Sequence, residues 1–492
     1  EDDRGGRGGQ GGAGGSEKDG VAEWGAPWLS CNRRVWLEVT ISRGAQAPVL
    51  PSVWPKPIRT QTRRLEILGL SETLILQVGA AALLLGFHLI SARLLSVETY
   101  GALNFGLTLG GLLTLICALG YPNLVLRVVV SAVAGRDWGA LKGVILQSTR
   151  SVVLLSLLAA SLLLVAASWL PRLDGDQEAG LRIAAVAVLF YPLGFLRSKV
   201  ARALDSIRCS IVPEEIIRPL LFIGFLVVVV LGFGVTPDGG TLAWVLTLSL
   251  FLATAIGLWC VWRRLPFSWN SAVPEVRTRE WRRSSWGMMT GSVFQEVITR
   301  SDAIALGFLA TMSATAQFSA CSKLALLNVF LLKVIDSYYA PKMASVYGAG
   351  DYAGLWRLIG RTAALSLLGS IPVTIALLVF PGALLGLFGP EYQDAQLPLR
   401  ILAVGTLVNA ATGSVGYALL MTNHELDFAR IAGFIAVTNV AAHAVFTPVF
   451  GIVGAATITS VSVALQNLLM WRVAYLRIAK KDGLPPVRKS AT

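Results

Sequence analysis

Residues 101–120 read GALNFGLTLGGLLTLICALG, twenty consecutive residues without a charged side chain. An α-helix rises about 1.5 Å per residue, so about 20 apolar residues cross the hydrocarbon core of a bilayer. The same character recurs in residues 151–170, 220–235 and 363–388. The repetition predicts a protein that crosses a membrane several times.

The composition agrees with a chain whose surface meets lipid. Of its 492 residues, 54% are hydrophobic and 14% are charged, whereas about a quarter of the residues of a soluble domain are charged. The net charge is +13, but no soluble domain concentrates it into the basic patch that nucleic acid requires. We therefore predict the lipid bilayer as a partner and no nucleic acid.

Twelve candidate spans follow one another from residue 65 onward. They lie near residues 70–90, 101–120, 146–170, 181–197, 216–234, 241–262, 286–309, 317–340, 362–387, 398–420, 429–447 and 452–475. This pattern predicts an all-α integral membrane protein with two six-helix bundles, at residues 65–270 and 271–478. An even number of spans per half gives both halves the same orientation, as in a parallel repeat.

Basic residues alternate between the two sets of connections. One set holds twenty-eight of them, and the other holds only Arg93, Arg172, Arg182 and Arg400. Short loops rich in Lys and Arg stay in the cytoplasm. The first set and both termini are therefore predicted to be cytoplasmic, and the net charge is mainly a topology signal.

The two ends of the chain differ from the rest. Residues 1–64 contain GGRGGQGGAGG and no helical period, so we predict a disordered low-complexity tail. The chain starts with Glu1 and its first methionine is Met288, which suggests a fragment or an upstream-extended reading frame before a start near Leu65. An RNA-binding Gly/Arg tail is the alternative for this segment. Residues 479–492 are predicted to form a basic cytoplasmic tail.

Nothing in the chain indicates a catalytic domain or a cofactor. Every connection is short, and the GxxxxGK[ST] phosphate loop of ATPases is absent from the sequence. The five cysteines are scattered singly, so we expect neither a disulfide framework nor a metal site. His88 lies in the first span, either as a proton-coupling group or as a packed neutral histidine.

Residues 292–309, SVFQEVITRSDAIALGFL, place three charges inside an apolar span: Glu296, Arg300 and Asp302. At about 100° per residue, these charges share one half of the helix with Gln295 and Thr299. A charge at mid-bilayer costs about 2.5–3.5 kcal/mol or more. This half of the helix is therefore predicted to face protein or water.

The next span and the first half supply further polar groups. Lys323 and Asn328 lie in span eight, and Arg150 enters span three. One reading is that all these charges only hold helices together. The other, which we favour, is a wet central cavity that binds a substrate and reaches position 302, with Asp302 or His88 as a coupling site.

Several motifs in order resemble one known family. They are ISARLLSVETYGALNFG (90–106), TRSDAIALGFLATMSATAQFSACSKLALL (299–327), YYAPKMASVYGAGDYAGLWRLIGRTA (338–363), LFGPEYQDAQLPLRILAVGTLVNAATGSVGYALLMTNHE (387–425) and FGIVGAATITSVS (450–462). Together they resemble polysaccharide-export and O-antigen flippases of the multidrug/oligosaccharidyl-lipid/polysaccharide (MOP) superfamily.

The resemblance implies a MATE-like fold around a central cavity. It implies a flippase that moves a polyprenyl-pyrophosphate-linked oligosaccharide to the outer leaflet by alternating access, in the bacterial inner membrane, for polysaccharide or lipopolysaccharide synthesis. Coupling to protons or sodium, and polymerase or chain-length partners, are expected from the family. Asp302 matches the acidic position of the family's seventh span, and Arg300 and Lys323 suit pyrophosphate.

Three other functions remain open. A cation-coupled multidrug exporter of the same superfamily would favour anionic over basic cavity residues. A membrane glycosyltransferase or ligase would need catalytic groups on a sizeable outer loop, and the outer loops here are short. A non-transporting scaffold is the third alternative.

Overall fold

The computed structural model describes residues 61–169, 173–266, 269, 271–275, 278–422 and 424–478. Residues 1–60 of the predicted tail lie outside the described residues, and residues 61–64 belong to the first helix. The predicted basic tail at 479–492 also lies outside them.

Fourteen helices, labelled α1 to α14 in chain order, make up nearly all of the described chain. Seven belong to the N-terminal half: α1 Gln61–Leu94, α2 Val97–Ala118, α3 Tyr121–Gly135, α4 Trp138–Trp169, α5 Gly175–Ala203, α6 Ile207–Gly232 and α7 Gly239–Trp262. Seven belong to the C-terminal half: α8 Thr278–Leu309, α9 Met312–Gly348, α10 Tyr352–Val379, α11 Pro381–Gly386, α12 Gln396–Thr412, α13 Val415–Met421 and α14 Glu425–Ile478.

Side-chain caps define several helix starts. The Ser96 hydroxyl accepts a hydrogen bond from the Thr99 amide before α2, and Thr311 and Asp351 cap α9 and α10 in the same way. Before α7, hydrogen bonds from the Thr241 side chain and backbone amide lower the pKa of Asp238. These caps satisfy amides that have no partner inside the helix.

Helices cover each of the twelve predicted spans, with three differences from the sequence prediction. The ninth and tenth spans are each divided into two helices, α10 with α11 and α12 with α13. The last two spans form one long element, α14, which is broken at Gly451 (φ 54°) because that backbone conformation is left-handed. The connection after span two is itself a helix, α3, separated from α2 by left-handed Leu119 and Gly120. In the described chain, nine or ten helices are long and apolar enough to cross a membrane.

Helix α8 is missing from that apolar set because of its own sequence. Charged residues at its start, together with Glu296, Arg300 and Asp302, make it more polar than the other long helices. It nevertheless packs against two other helices, α14 and α2. The charges therefore sit on a helix whose neighbours are other helices, as the sequence predicts.

Helix α2 lies at the junction of the two halves. A Cβ at Gly101 would come within 2.0 Å of the Met312 carbonyl oxygen of α9, and one at Gly106 within 2.5 Å of the Gly180 carbonyl oxygen of α5. A Cβ at Gly307 of α8 would lie 2.1 Å from the ring of Phe105. Glycine is required at Gly101 and Gly106 because the backbones approach too closely for a side chain, and at Gly307 because the Phe105 ring occupies the space.

The halves also meet through polar contacts at one end, which we call the closed end. Arg93 donates to the carbonyl oxygens of Gly386 (2.7 Å) and Leu387 (2.9 Å). Gln177 donates to the carbonyl of Gly307 at 3.0 Å, and the rings of Tyr100 and Tyr392 lie edge to face. The predicted topology makes this the outer end, because Arg93 belongs to the predicted outer set.

Two expectations from the sequence are wrong. Cys209 of α6 and Cys260 of α7 form a disulfide, although their spacing gave no sign of pairing. Arg197, one of the twenty-eight basic residues that the sequence assigns to the cytoplasmic connections, is only 3% exposed. It donates to the Cys209 carbonyl at 2.6 Å and to Glu214 at 3.1 Å, so this cation is paired inside the N-terminal half.

Candidate functional site

The centre of the candidate site is an ion pair on α8. Arg300 Nε lies 2.5 Å from Glu296 Oε2, one helical turn away, and both side chains are about one-third exposed. The guanidinium lies over α2, because a Cβ at Gly111 would be 2.7 Å from Arg300 Nη1. A charged group of the C-terminal half thus fills the space that a glycine of the N-terminal half leaves open.

Asp302, two residues further along α8, is in a different environment. Its side chain is 4% exposed. One carboxylate oxygen accepts from the Ala303 amide at 2.6 Å, and the other accepts from the Thr459 hydroxyl of α14 at 3.1 Å. The expectation that water reaches position 302 is wrong for this conformation, because α14 covers the carboxylate.

Further side chains of α8 join Asp302 in holding α14. Gln295 accepts a hydrogen bond from Gln466 Nε2 at 2.7 Å, and Ser301 donates to Asn439 at 2.5 Å. The polar half of α8 is therefore divided between two tasks. Gln295 and Asp302 bind helix to helix, while Glu296 and Arg300 remain open toward α2.

Lys323 of α9 completes the charged group. It interacts electrostatically with both Arg300 and Asp302, and it is half-buried. His88 of α1 also interacts with Lys323 and its Nδ1 lies 3.2 Å from the Tyr100 hydroxyl. Groups from α1, α8 and α9 thus share one electrostatic environment, which we call the charged cluster: His88, Glu296, Arg300, Asp302 and Lys323.

The remaining predicted site residues have separate positions. Thr299 is exposed, and its hydroxyl bonds to the carbonyls of Gln295 and Glu296 in its own helix. Asn328 is 1% exposed and donates to Thr374 and Thr406, so it joins α9 to α10 and α12. Arg150 is exposed on α4 and forms no hydrogen bond or ion pair with α8 among the described residues.

The sequence gave no warning of the α14 groups that complete the site. Thr459, Asn439 and Gln466 are 138 to 171 residues away from their partners on α8. Within the stretch that the structure describes, no group of three or more His, Cys, Asp or Glu side chains is placed to hold a metal ion.

Two members of the charged cluster, Arg300 and Lys323, carry groups that can bind an anion, beside the carboxylates of Glu296 and Asp302. Arg300 uses Nε for Glu296, and a guanidinium has four further N–H donors on its two terminal nitrogens. Those donors match the oxygens of a phosphate in a two-pronged geometry. With Lys323 nearby, the cluster offers two cations to a ligand that displaces Glu296 from Arg300.

The helical architecture is that of a multi-pass membrane protein. It resembles an inward-facing multidrug resistance MATE family transporter of the MOP superfamily, with a TM-score of 0.68 and 13% identity over 85% of this chain and 99% of that one. It also resembles the lipid II flippase MurJ in an inward closed conformation, with a TM-score of 0.60 and 12% identity over 82% of this chain and 87% of that one. At these identities the likeness shows the fold.

The sequence identifies the family. Residues 69–344, more than half of the chain, match the family described as polysaccharide biosynthesis protein, and the chain belongs to that family.

Curated relatives point in the same direction over shorter stretches. The probable low-salt glycan biosynthesis flippase of Haloferax volcanii is 24% identical over 34% of this chain and 36% of its own length. The probable flippase AglR of the same organism is 25% identical over 38% of this chain and 39% of its own. The chain thus matches little more than a third of each relative.

Enlarging the side chain at position 111 is expected to disturb the charged cluster while the helices stay packed. In Gly111→Val, the new side chain displaces the Arg300 guanidinium, which is the flexible end of a long side chain. We expect polysaccharide output of cells to fall about tenfold, the size of a lost hydrogen bond to a charged group. Gly86→Val on α1 is the control, because nothing lies within 4 Å of a Cβ there. Normal output at normal membrane abundance would contradict the placement of Arg300.

Proposed function

We propose that this protein is a flippase for a polyprenyl-pyrophosphate-linked oligosaccharide. It moves the lipid-linked glycan from the cytoplasmic to the outer leaflet of a bacterial inner membrane, with both termini in the cytoplasm. The glycan serves polysaccharide synthesis such as that of O-antigen and lipopolysaccharide, with a polymerase and chain-length machinery as partners. Family membership and the flippase relatives support this choice.

The observation that carries the proposal is the state of Arg300. It is a cation in the middle of a helix that passes between other helices, and it is about one-third exposed beside a glycine. A charge that served only to hold helices would be enclosed, as Arg197 is. Arg300 is therefore kept available for an anionic headgroup, and the pyrophosphate of a lipid-linked glycan is such a group.

Alternating access follows from the contacts between the halves. The bundles at 65–270 and 271–478 move relative to each other, and the closed end opens when the contacts of Arg93, Gln177 and Tyr100 separate. Residues of both halves, such as Leu103 and Phe318, also share one apolar cluster there, so opening this end needs a ligand that binds the open state more tightly. The headgroup is received at the opposite end, which the basic connections make cytoplasmic.

Asp302 and His88 are the candidate coupling groups. Both interact with Lys323, so a proton or a sodium ion arriving at either one changes the charge that the headgroup meets. Asp302 also holds Thr459 of α14. Binding of a cation at Asp302 is therefore linked to the contact between α8 and α14, which is one route from ion binding to helix movement.

A cation-coupled multidrug exporter is the second candidate, supported by the likeness to MATE transporters. The charged cluster argues against a cationic drug, because Arg300 and Lys323 repel it. A glycosyltransferase or ligase needs catalytic groups on an outer segment, whereas the charged cluster lies on α1, α8 and α9. The proposal is therefore a transporter that does no covalent chemistry.

Removing the Arg300 cation is expected to stop transport. In vesicles containing the purified protein, Arg300→Ala should lower the flipping rate of a fluorescent lipid-linked glycan by at least about tenfold, because a bidentate charged contact is lost. Arg300→Lys should keep part of the activity, since lysine retains the positive charge but lacks the planar guanidinium that can bind two oxygens at once. Arg430→Ala is the matched control, because Arg430 is 77% exposed on α14 and pairs only with Asp427 of its own helix among the described residues.

Two results would overturn this assignment. One is wild-type flipping by Arg300→Ala with the protein properly inserted. The other is transport of a cationic dye, without any flipping of the glycan lipid, which would favour the multidrug exporter.

Weakening the closed end is expected to open it more often. Arg93→Gln removes the charged donor to the Gly386 and Leu387 carbonyls. Phe388 beside them is fully buried, so a cysteine at 388 should react slowly with an impermeant thiol reagent and several times faster after Arg93→Gln. Arg182→Gln is the control, because Arg182 pairs only with Glu178 of its own helix among the described residues. Equal rates in all three proteins would show that Arg93 does not hold this end closed.

A further inference from the structure

A cleft opens on the side of the C-terminal half between α12 and the second part of α14, residues 452–478. Its volume is about 430 Å³, and its walls include Ile401, Val404, Val408, Val461 and Ala464. Val404 and Val461 are 49% and 58% exposed, so the cleft is open to its surroundings. In a multi-pass membrane protein such an open aliphatic surface faces lipid chains.

The polar atoms in the cleft wall are already engaged. The Thr457 hydroxyl donates to the Val453 carbonyl at 2.8 Å, and the Ser460 hydroxyl donates to the Ile401 carbonyl at 3.2 Å. Gly405 forms the floor, where a Cβ would lie 2.5 Å from the Ser460 hydroxyl oxygen. The cleft wall is therefore mainly apolar, and its hydroxyl protons are already donated to backbone carbonyls.

One cation stands at the end of the cleft. Arg400 lies one turn into α12 and lines the cleft, about 12 Å from Val408 at 1.5 Å per residue. It is exposed, and among the described residues it forms no hydrogen bond or ion pair. By contrast, Arg93 and Arg182 of the same predicted outer set have protein partners. Arg172 lies outside the described residues.

We infer that this cleft is a binding site for the polyprenyl chain of the lipid-linked glycan, with Arg400 holding its pyrophosphate. The inference rests on the proposed function. Apolar walls alone do not distinguish one chain from another in a bilayer, since lipid chains are equally apolar. Selectivity for the polyprenyl lipid comes from Arg400, whose guanidinium binds the oxygens of a pyrophosphate and holds this headgroup at the end of the cleft.

The position of the cleft relates it to the charged cluster. Thr459 on the inner face of α14 bonds Asp302, while its neighbours Ser460 and Val461 line the cleft. A single helix thus separates the two sites. The cleft holds the lipid in the leaflet at the closed end, next to the place where its headgroup leaves or enters the charged cluster.

Photolabelling tests the inference directly. The full chain, in nanodiscs of phosphatidylcholine, is irradiated with a glycan-free polyprenyl pyrophosphate that carries a diazirine in its chain. We expect labels in α12 and in residues 452–464, about tenfold less labelling in Arg400→Gln, and most of it retained in Arg400→Lys. Ala464→Trp fills the cleft and should block labelling, whereas Ala444→Trp, at an exposed alanine outside the cleft, should not.

The outcomes separate this site from the proposed function. Unchanged labelling in both Ala464→Trp and Arg400→Gln overturns the inference, and so does loss of labelling when phosphatidylglycerol is added, because the cleft would then take any anionic lipid. Flipping is measured on the same preparations. If the protein flips the glycan lipid but is not labelled, the cleft site is wrong and the proposed function stands. If the protein is labelled but does not flip the glycan lipid, the proposed function is wrong and the cleft site stands. Thermal unfolding of each variant in detergent identifies any that fail to fold, and Ala464→Phe then replaces Ala464→Trp.

Discussion

The cost of placing charges at mid-membrane is the constraint on which the rest of this structure depends. Glu296, Arg300 and Asp302 on one transmembrane helix are tolerable only if every charge is paired, hydrogen-bonded or in water. The structure meets this demand in two ways. Asp302 is sealed against Thr459 of α14, and Arg300 and Glu296 pair with each other in the space beside Gly111 of α2. Helix α8 consequently lies between the two halves, with α14 on one side and α2 on the other.

This division gives one helix both a structural and a functional face. The contacts of Gln295, Ser301 and Asp302 fix α8 to α14, so the two helices can move as a unit. The contact with α2 consists of Gly111 beside the ion pair, Gly307 against the Phe105 ring, and the edge-to-face rings of Phe105 and Phe308. Such an interface can separate without leaving a buried charge unpaired, because Glu296 and Arg300 travel together. The closed end, held by Arg93, Gln177 and Tyr100, is then the part that must break.

The sequence was sufficient for the fold and for the location of the charges, because both depend on local pattern. Charge-free runs of about 20 residues define spans, and the charges of α8 stand out within one. The partners could not be predicted, since Thr459, Asn439 and Gln466 lie far along the chain and small polar residues are common in membrane helices. The same limit explains Arg197 and the Cys209–Cys260 disulfide. Arg197 belongs to a series of basic residues that the sequence assigns to a connection between spans. Its partner Glu214 and the adjacent Gly257 come from two other helices.

The exposure of position 299, one residue before Arg300, tests the central claim most directly. An impermeant thiol reagent reacts with a thiolate, which forms in water and not in lipid or packed protein. Thr299→Cys should therefore be labelled rapidly, whereas Ile298→Cys, fully buried against α14, and Phe434→Cys, 58% exposed on the apolar outside, should resist. If Thr299→Cys is as unreactive as the other two, the ion pair of α8 lies in a dry interface, and a water-filled path for a charged headgroup is contradicted.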